Sequence, residues 1–350
     1  MNLGGSIKIN KFGLSVLGFI ILIFILYHLS GSSSNISQIP LVGTNTNNEI
    51  SLRKLLIAAI MAAERGGEEV LKVYNSKILN TQTKGKTKEG VIDPVTDADF
   101  NSHCTMVSGL QHLFPKLLKI VSEEGHSKQK CPEIEISRQF DLNPTVLGDV
   151  NFPDVTIPAD EITVWIDPLD ATKEFTENLT QYVTTMVCVA VHGVPVIGVI
   201  HNPFPANKAT TWAWVDRAYS ADLIKRKSEK NVEARIPSLI VSRSHAGDMQ
   251  DVAKQIFGEN VQIVGAAGAG YKVLQVVFNN ATAYMHKTVI KKWDLCAGNA
   301  ILNALGGKMT DFKGNEISYT DDGNYVQSKG LLATMSHHET YVEKLKDLKL

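Results

Sequence analysis

One stretch constrains the fold more than any other: Val164-Trp165-Ile166-Asp167-Pro168-Leu169-Asp170-Ala171-Thr172. The apolar run Ile162–Ile166 reads as a buried strand. It delivers two carboxylates, then a threonine, at its carboxyl end. Acids at the ends of buried strands belong in a sheet whose termini converge on a ligand. The composition agrees: 44% of the 350 residues are hydrophobic and 20% are charged, enough for a large core, so a disordered chain is excluded. The 35 Lys and Arg balance 36 Asp and Glu to a net charge of −1, so no basic excess exists for coating a nucleic acid polymer. The 4 cysteines are too few for a disulfide scaffold.

Three further acidic clusters accompany this one. They are Asp93-Pro94-Val95-Thr96-Asp97-Ala98-Asp99, Ser122-Glu123-Glu124-Gly125 after a strand, and Trp293-Asp294-Leu295-Cys296-Ala297-Gly298 at a helix start. Singly each has a structural explanation, since an Asp before a helix is an ordinary cap and Asp-Pro an ordinary turn. Together they supply oxygen ligands without His or Cys partners. That donor set suits a hard cation, above all Mg²⁺, which commonly bridges to phosphate.

The amino terminus is separate. Phe12 to Leu29 contains no Asp, Glu, Lys or Arg and would make roughly 27 Å of helix. Lys8 and Lys11 precede it, and no charge follows until Glu49, so residues 1–11 are expected in the cytosol, 12–29 as a transmembrane signal-anchor and 30–50 as a lumenal stem. A cleaved signal peptide is the alternative, but no clear cleavage site follows the run. Lumenal placement makes Asn35, Asn178 and Asn280 glycosylation candidates. Cys188 in an apolar strand and Cys296 in a helix read as buried free thiols, although an oxidising lumen would let cysteines pair.

Residues 51–350 read as the globular body, with an α+β half over 51–220 and an α/β half over 221–350. Helical spacing predicts a long first helix from Leu52 and a second over Asp97–Phe114. Thr81–Gly90 reads as a polar loop and Pro132–Asp160 as a surface insertion. The second half alternates strands near Leu239, Val261, Ala283 and Leu331 with helices over Asp248–Phe257, Gly268–Phe278 and Trp293–Leu305.

The four clusters, in this order, resemble the signatures of the lithium-sensitive, Mg²⁺-dependent phosphatases, the inositol monophosphatase superfamily. The similarity covers Ser51–Leu350. It implies an α/β, layered α-β-α-β-α sandwich, preceded here by the transmembrane helix. Lys84-Gly85-Lys86-Thr87-Lys88-Glu89-Gly90, Tyr182–Val191 and Ile290-Lys291-Lys292-Trp293-Asp294 are similar to the Golgi-lumenal nucleotidase branch, and Ala171 matches that branch too.

The resemblance implies residue roles. Glu123, Asp167 and the carbonyl of Leu169 would hold one Mg²⁺, and Asp167, Asp170 and Asp294 a second, with a third weaker ion at Glu123. Glu124 is a ligand or its support. Asp99, with Asp97 as the alternative register, would act with Thr172 to position and deprotonate a water. Ser242-Arg243-Ser244-His245 and Gly265-Ala266-Ala267-Gly268-Ala269-Gly270-Tyr271-Lys272 resemble nucleotide-pocket motifs, which assigns Ser242, His245, Gly268 and Lys272 to the substrate. Close helix–sheet packing is the competing account of the glycine-rich turn.

The implied activity is hydrolysis of the 3′-phosphate of adenosine 3′,5′-bisphosphate in the Golgi lumen, which removes a sulfotransferase by-product. Inositol monophosphatase activity is the alternative within enzymes, and a non-catalytic lumenal nucleotide-binding protein the alternative outside them. The expected partners are a small nucleotide and the membrane; a homodimer stays open.

Overall fold

Ser51 starts the first helix, α1 (Leu52–Ser76), by accepting a hydrogen bond from the Lys54 amide at 3.1 Å. Leu52, Leu55, Leu56, Ala59, Ile60 and Ala63 are all buried, so the apolar stripe read from the sequence is the face that packs. In this computed structural model the described residues are 48–86, 90–115, 118–127, 129–132, 142–148, 150, 152–228, 238–243 and 249–347. The expected tail, span and most of the stem, with Asn35, lie outside them, as does His245. Among the described residues no helix is long and apolar enough to cross a membrane.

Strands β1 (Glu49–Ser51), β2 (Gln82–Lys86) and β3 (Ile92–Val95) precede α2 (Asp97–Leu113). Then follow β4 (Lys119–Ser122), β5 (Thr156–Pro158), β6 (Ile162–Asp170), the five-residue helix α3 (Thr172–Thr176), β7 (Thr184–Val191), β8 (Val194–Asn202), β9 (Ala209–Trp214), β10 (Ala218–Tyr219) and α4 (Ala221–Ser228). The remainder runs β11 (Ser238–Ser242), α5 (Met249–Phe257), β12 (Gln262–Ala266), α6 (Ala269–Val277), β13 (Ala283–His286), β14 (Ile290–Lys291), α7 (Lys292–Ala304), β15 (Lys308–Thr310), β16 (Val326–Gln327), β17 (Leu331–Thr334) and α8 (His338–Leu345).

Two sheets carry the fold. A 6-stranded sheet has the order β10-β9-β8-β7-β6-β4, antiparallel except where β4 joins β6 in parallel. A 5-stranded sheet has the order β12-β11-β13-β17-β15. Strand alternation sorts the side chains into layers. Ile162, Val164 and Ile166 of β6, with Val187 and Val189 of β7, pack against α1 and α2. Trp165, Met186 and Cys188 face the opposite way, onto α6 and α7. Those helices in turn meet Ile240, Tyr284 and Ala333 of the second sheet. Its other face packs Leu239, Met285 and Leu332 against Val252 of α5 and Leu345 of α8. The result is helix, sheet, helix, sheet, helix, as expected. Residues 48–350 hold together as one unit.

Three readings change. Thr81–Gly90 is not a loop: it contributes β2, which pairs antiparallel with β3. Pro132–Asp160 is not simply a surface insertion, because Leu147, Phe152 and Ala159 are buried with the α1 core and β5 pairs with β1. The cysteines are not free thiols. Cys104 bonds Cys131 with Cα atoms 5.3 Å apart, and Cys188 bonds Cys296 with Cα atoms 5.6 Å apart. The second pair forms because the face of β7 bearing Cys188 is the face on which α7 lies.

Candidate active site

Parallel pairing of β4 with β6 sets Ser122 opposite Ile166, so the next residues along, Glu123 and Asp167, leave the sheet side by side. The start of α7 brings Asp294 to them. Carboxylate oxygens of Glu123, Asp167 and Asp294 all lie within 4.8 Å of one another. Asp294 is held there by the Lys291 amide, which donates to its Oδ2 at 3.1 Å.

Three gathered carboxylates repel. Burial, then the neighbouring charges of Glu123, Asp170 and Asp294, push Asp167 well above the usual carboxylate range. Burial and the charges of Glu123 and Asp170 do the same to Asp294. Burial raises Glu123 despite the opposing Lys84. Such a group is stable as anions only with a compensating cation. The donor set is all oxygen, compact and anionic, and fits a hard divalent ion.

The β6–β7 register shifts between Asp167 and Asp170, so the strand read over Ile162–Ile166 continues to Asp170 with a bulge. The bulge sends the second carboxylate elsewhere. Asp170 Oδ2 accepts from the Gly270 amide at 2.8 Å, at the start of α6. Burial still raises its pKa, against the pull of Lys272 and the Gly270 and Ala269 amides. The Leu169 carbonyl lies 3.2 Å from the Thr172 hydroxyl.

Thr172 and Asp99 meet from different layers. Thr172 Oγ1 donates to Asp99 Oδ1 at 2.8 Å, while Asp99 Oδ2 accepts from the Thr96 amide and hydroxyl, each at 2.7 Å. Asp99 is only 1% exposed, and burial raises its pKa to about 7, against the hydrogen bonds of Thr96 and Thr172 and the charge of Lys84. Asp97, the alternative register, instead accepts from Asn80 Nδ2 away from Thr172. Of the two, Asp99 is the one hydrogen-bonded to Thr172.

A cavity of about 540 Å³ opens over these groups, lined by Glu123, Asp167, Asp170, Thr172 and Asp294. Ser242, Gly268 and Lys272 line it too, so three of the four expected substrate contacts share it. Gly268 also answers to packing: it sits at φ +67°, and an added Cβ would lie 2.6 Å from the Tyr182 carbonyl oxygen. Lys272 is 4% exposed, and burial lowers its pKa to about 8, against the pull of Asp170, Glu174 and Asp294.

Sequence reasoning missed two residues of this region. Lys84 on β2 bonds Glu123 at 2.8 Å and also Glu124. Glu124 thus pairs with a lysine rather than joining the triad of carboxylates. Burial works against the Lys84 ammonium, but Glu123 and Glu124 outweigh it and hold its pKa above the lysine range. Its place in Lys84-Gly85-Lys86 was the only available signal. Tyr284, on β13, lines the cavity and had no signal beyond an apolar strand.

Residues 51–350 match the inositol monophosphatase family. The chain is 49% identical over 344 residues to the putative inositol monophosphatase 3 of Drosophila melanogaster, covering 98% of this chain and 95% of that protein. It is 42% identical over 361 residues to the Golgi-resident adenosine 3′,5′-bisphosphate 3′-phosphatase of Mus musculus, covering 98% of each. Among solved structures, the inositol monophosphatase of Anabaena superposes with a TM-score of 0.57 at 18% identity, over 85% of this chain and 97% of that one, a likeness of fold. With that match over residues 51–350 and a relative of that family 49% identical over nearly its whole length, the protein belongs to the inositol monophosphatase family.

Proposed function

We propose that this phosphatase removes the 3′-phosphate of adenosine 3′,5′-bisphosphate, giving AMP and inorganic phosphate. Its near relatives carry two names, one for inositol phosphate and one for the nucleotide. The observation that carries our reading is Lys272, a buried cation in the same cavity as the carboxylate triad. A substrate with a second phosphate needs a second cationic contact; inositol monophosphate does not.

Glu123, Asp167 and Asp294 would hold Mg²⁺, with Asp170 and the Leu169 carbonyl as further donors. When bound, Mg²⁺ acts as a Lewis acid on phosphoryl oxygens and neutralises charge at the reacting phosphate. The chain's own residues do the rest. Thr172, with its proton committed to Asp99, accepts a hydrogen bond from the attacking water and fixes its orientation. Asp99, in its ionised form and with its pKa raised to about 7, takes up the proton passed through Thr172. Lys272 draws the second phosphate into the cavity, with Ser242 and Gly268 beside it. His245 follows Ser242 closely in the chain and is proposed as a further contact.

The proposed setting is the Golgi lumen, with residues 12–29 as the anchor. Two disulfides support an oxidising compartment. Asn178 and Asn280 are both exposed, as glycosylation requires. Phosphate release from adenosine 3′,5′-bisphosphate and from inositol 1-phosphate, each with and without Mg²⁺, tests the proposal. Mg²⁺-dependent preference for the nucleotide is expected; preference for inositol phosphate overturns it.

A further inference from the structure

Tyr284 lies on β13 with its ring in the layer of α6 and α7, while its neighbours Ala283 and Met285 face the opposite side of the sheet. It is fully buried, and its hydroxyl has no hydrogen-bond partner among the described residues. Folded proteins rarely leave such a group unpaired, because nothing replaces the water it gave up. Trp293 Nε1 and Asn299 Oδ1 are also unpartnered there, but neither residue lines the cavity, whereas Tyr284 does.

The surroundings identify what the hydroxyl lacks. Lys272 Nζ stands 5.1 Å from the centroid of the Tyr284 ring. The carboxylates facing this pair already accept from the backbone: Asp170 from Gly270, and Asp294 from Lys291. Two donors, one of them cationic, therefore share one wall of the cavity. An anion with several acceptor oxygens satisfies both, and a phosphate is such an anion.

We infer that Tyr284 is a specificity-determining residue whose hydroxyl, together with the Lys272 ammonium, receives the substrate phosphate that is not cleaved. The inference rests on the nucleotide reading above and adds a residue to it. The cleaved phosphate belongs with Thr172 and the triad. The charges bearing on Lys272 are those of Asp170, Glu174 and Asp294, whereas Lys84 closes the triad's other side against Glu123 and Glu124. Both phosphates are thus placed in the one cavity, the cleaved one at Thr172 and the triad and the other at Lys272 and Tyr284.

The test is Tyr284→Phe in the full chain, which deletes one oxygen and keeps the ring. Phosphate release is measured for wild type and variant with adenosine 3′,5′-bisphosphate and with adenosine 3′-monophosphate, and AMP binding is measured by calorimetry. Loss of a hydrogen bond to a charged group predicts a KM for the bisphosphate about tenfold or more higher, and AMP binding weakened to match. The 3′-monophosphate should be nearly unaffected, and the melting temperature unchanged or higher. An unchanged bisphosphate KM overturns the assignment, as does an equal loss on both substrates. If wild type hydrolyses neither nucleotide, the nucleotide reading fails and this inference with it.

Discussion

The Thr172 hydroxyl donates to Asp99 Oδ1 at 2.8 Å, although the two residues are 73 positions apart. Removing either half of this pair should reach chemistry more than binding. We expect Asp99→Asn and Thr172→Ala each to lower kcat by roughly 100-fold or more, the usual worth of a positioned proton acceptor. Thr172→Ser keeps the hydroxyl and should retain most activity. A Thr172→Ala enzyme within twofold of wild type would contradict the assignment.

The pH–rate profile should carry an acid limb from Asp99. Its raised pKa, about 7, means that the ionised form disappears as pH falls through that value. Activity needs the ionised form, so kcat/KM should drop on the acid side. Rising Mg²⁺ should move the limb to lower pH, because a nearby cation favours the anion. A limb fixed at ordinary carboxylate values at every Mg²⁺ concentration would refute this.

Stability without added divalent ions should fall as pH rises. Asp167 and Asp294 have folded-state pKa values raised above their unfolded ones. Their contribution is therefore fully present below the unfolded carboxylate pKa and is lost as pH climbs through the folded values. Added Mg²⁺ should raise the melting temperature, and more at pH 8 than at pH 5. Thermal melts across that range check the sign.

Asp167 is 1% exposed and central to the triad. Asp167→Asn should abolish Mg²⁺ binding by calorimetry while the protein remains folded, since it also relieves repulsion. Retained stoichiometric binding would remove Asp167 from the ligand set.

The Cys188–Cys296 bond closes a separation of 108 residues and anchors α7 two positions beyond Asp294. Replacing both cysteines by alanine should cost about 2–5 kcal/mol of stability. It should also weaken Mg²⁺ binding, read by calorimetry, because α7 presents Asp294.

The carboxylates were legible because each sits in a short local pattern: an apolar strand, then acids. Asp99 was preferred to Asp97 on motif register alone, since both fall in the first turn of α2, and only the folded geometry shows that Asp99 is the one bonded to Thr172. The β2–β3 ribbon was missed because every residue of Gln82–Lys86 is exposed and polar, leaving no alternation to read. Lys84 and the cysteine pairs are long-range contacts, and Cys188 in a strand gives no hint of Cys296 in a helix. Tyr284 looks like any core aromatic until its hydroxyl is found without a partner.

The bond from Asp170 to the Gly270 amide joins the last carboxylate of the first sheet to the first turn of a helix 100 residues later. Glu123, Asp167, Asp99 and Thr172 come from one half of the chain, and Asp294, Lys272 and Tyr284 from the other. The proposed chemistry is therefore indivisible at the level of the gene. A fragment ending near residue 220 would keep most of the acids and hydrolyse nothing. Recombination between relatives must transmit both halves in matching register, or transmit no enzyme at all.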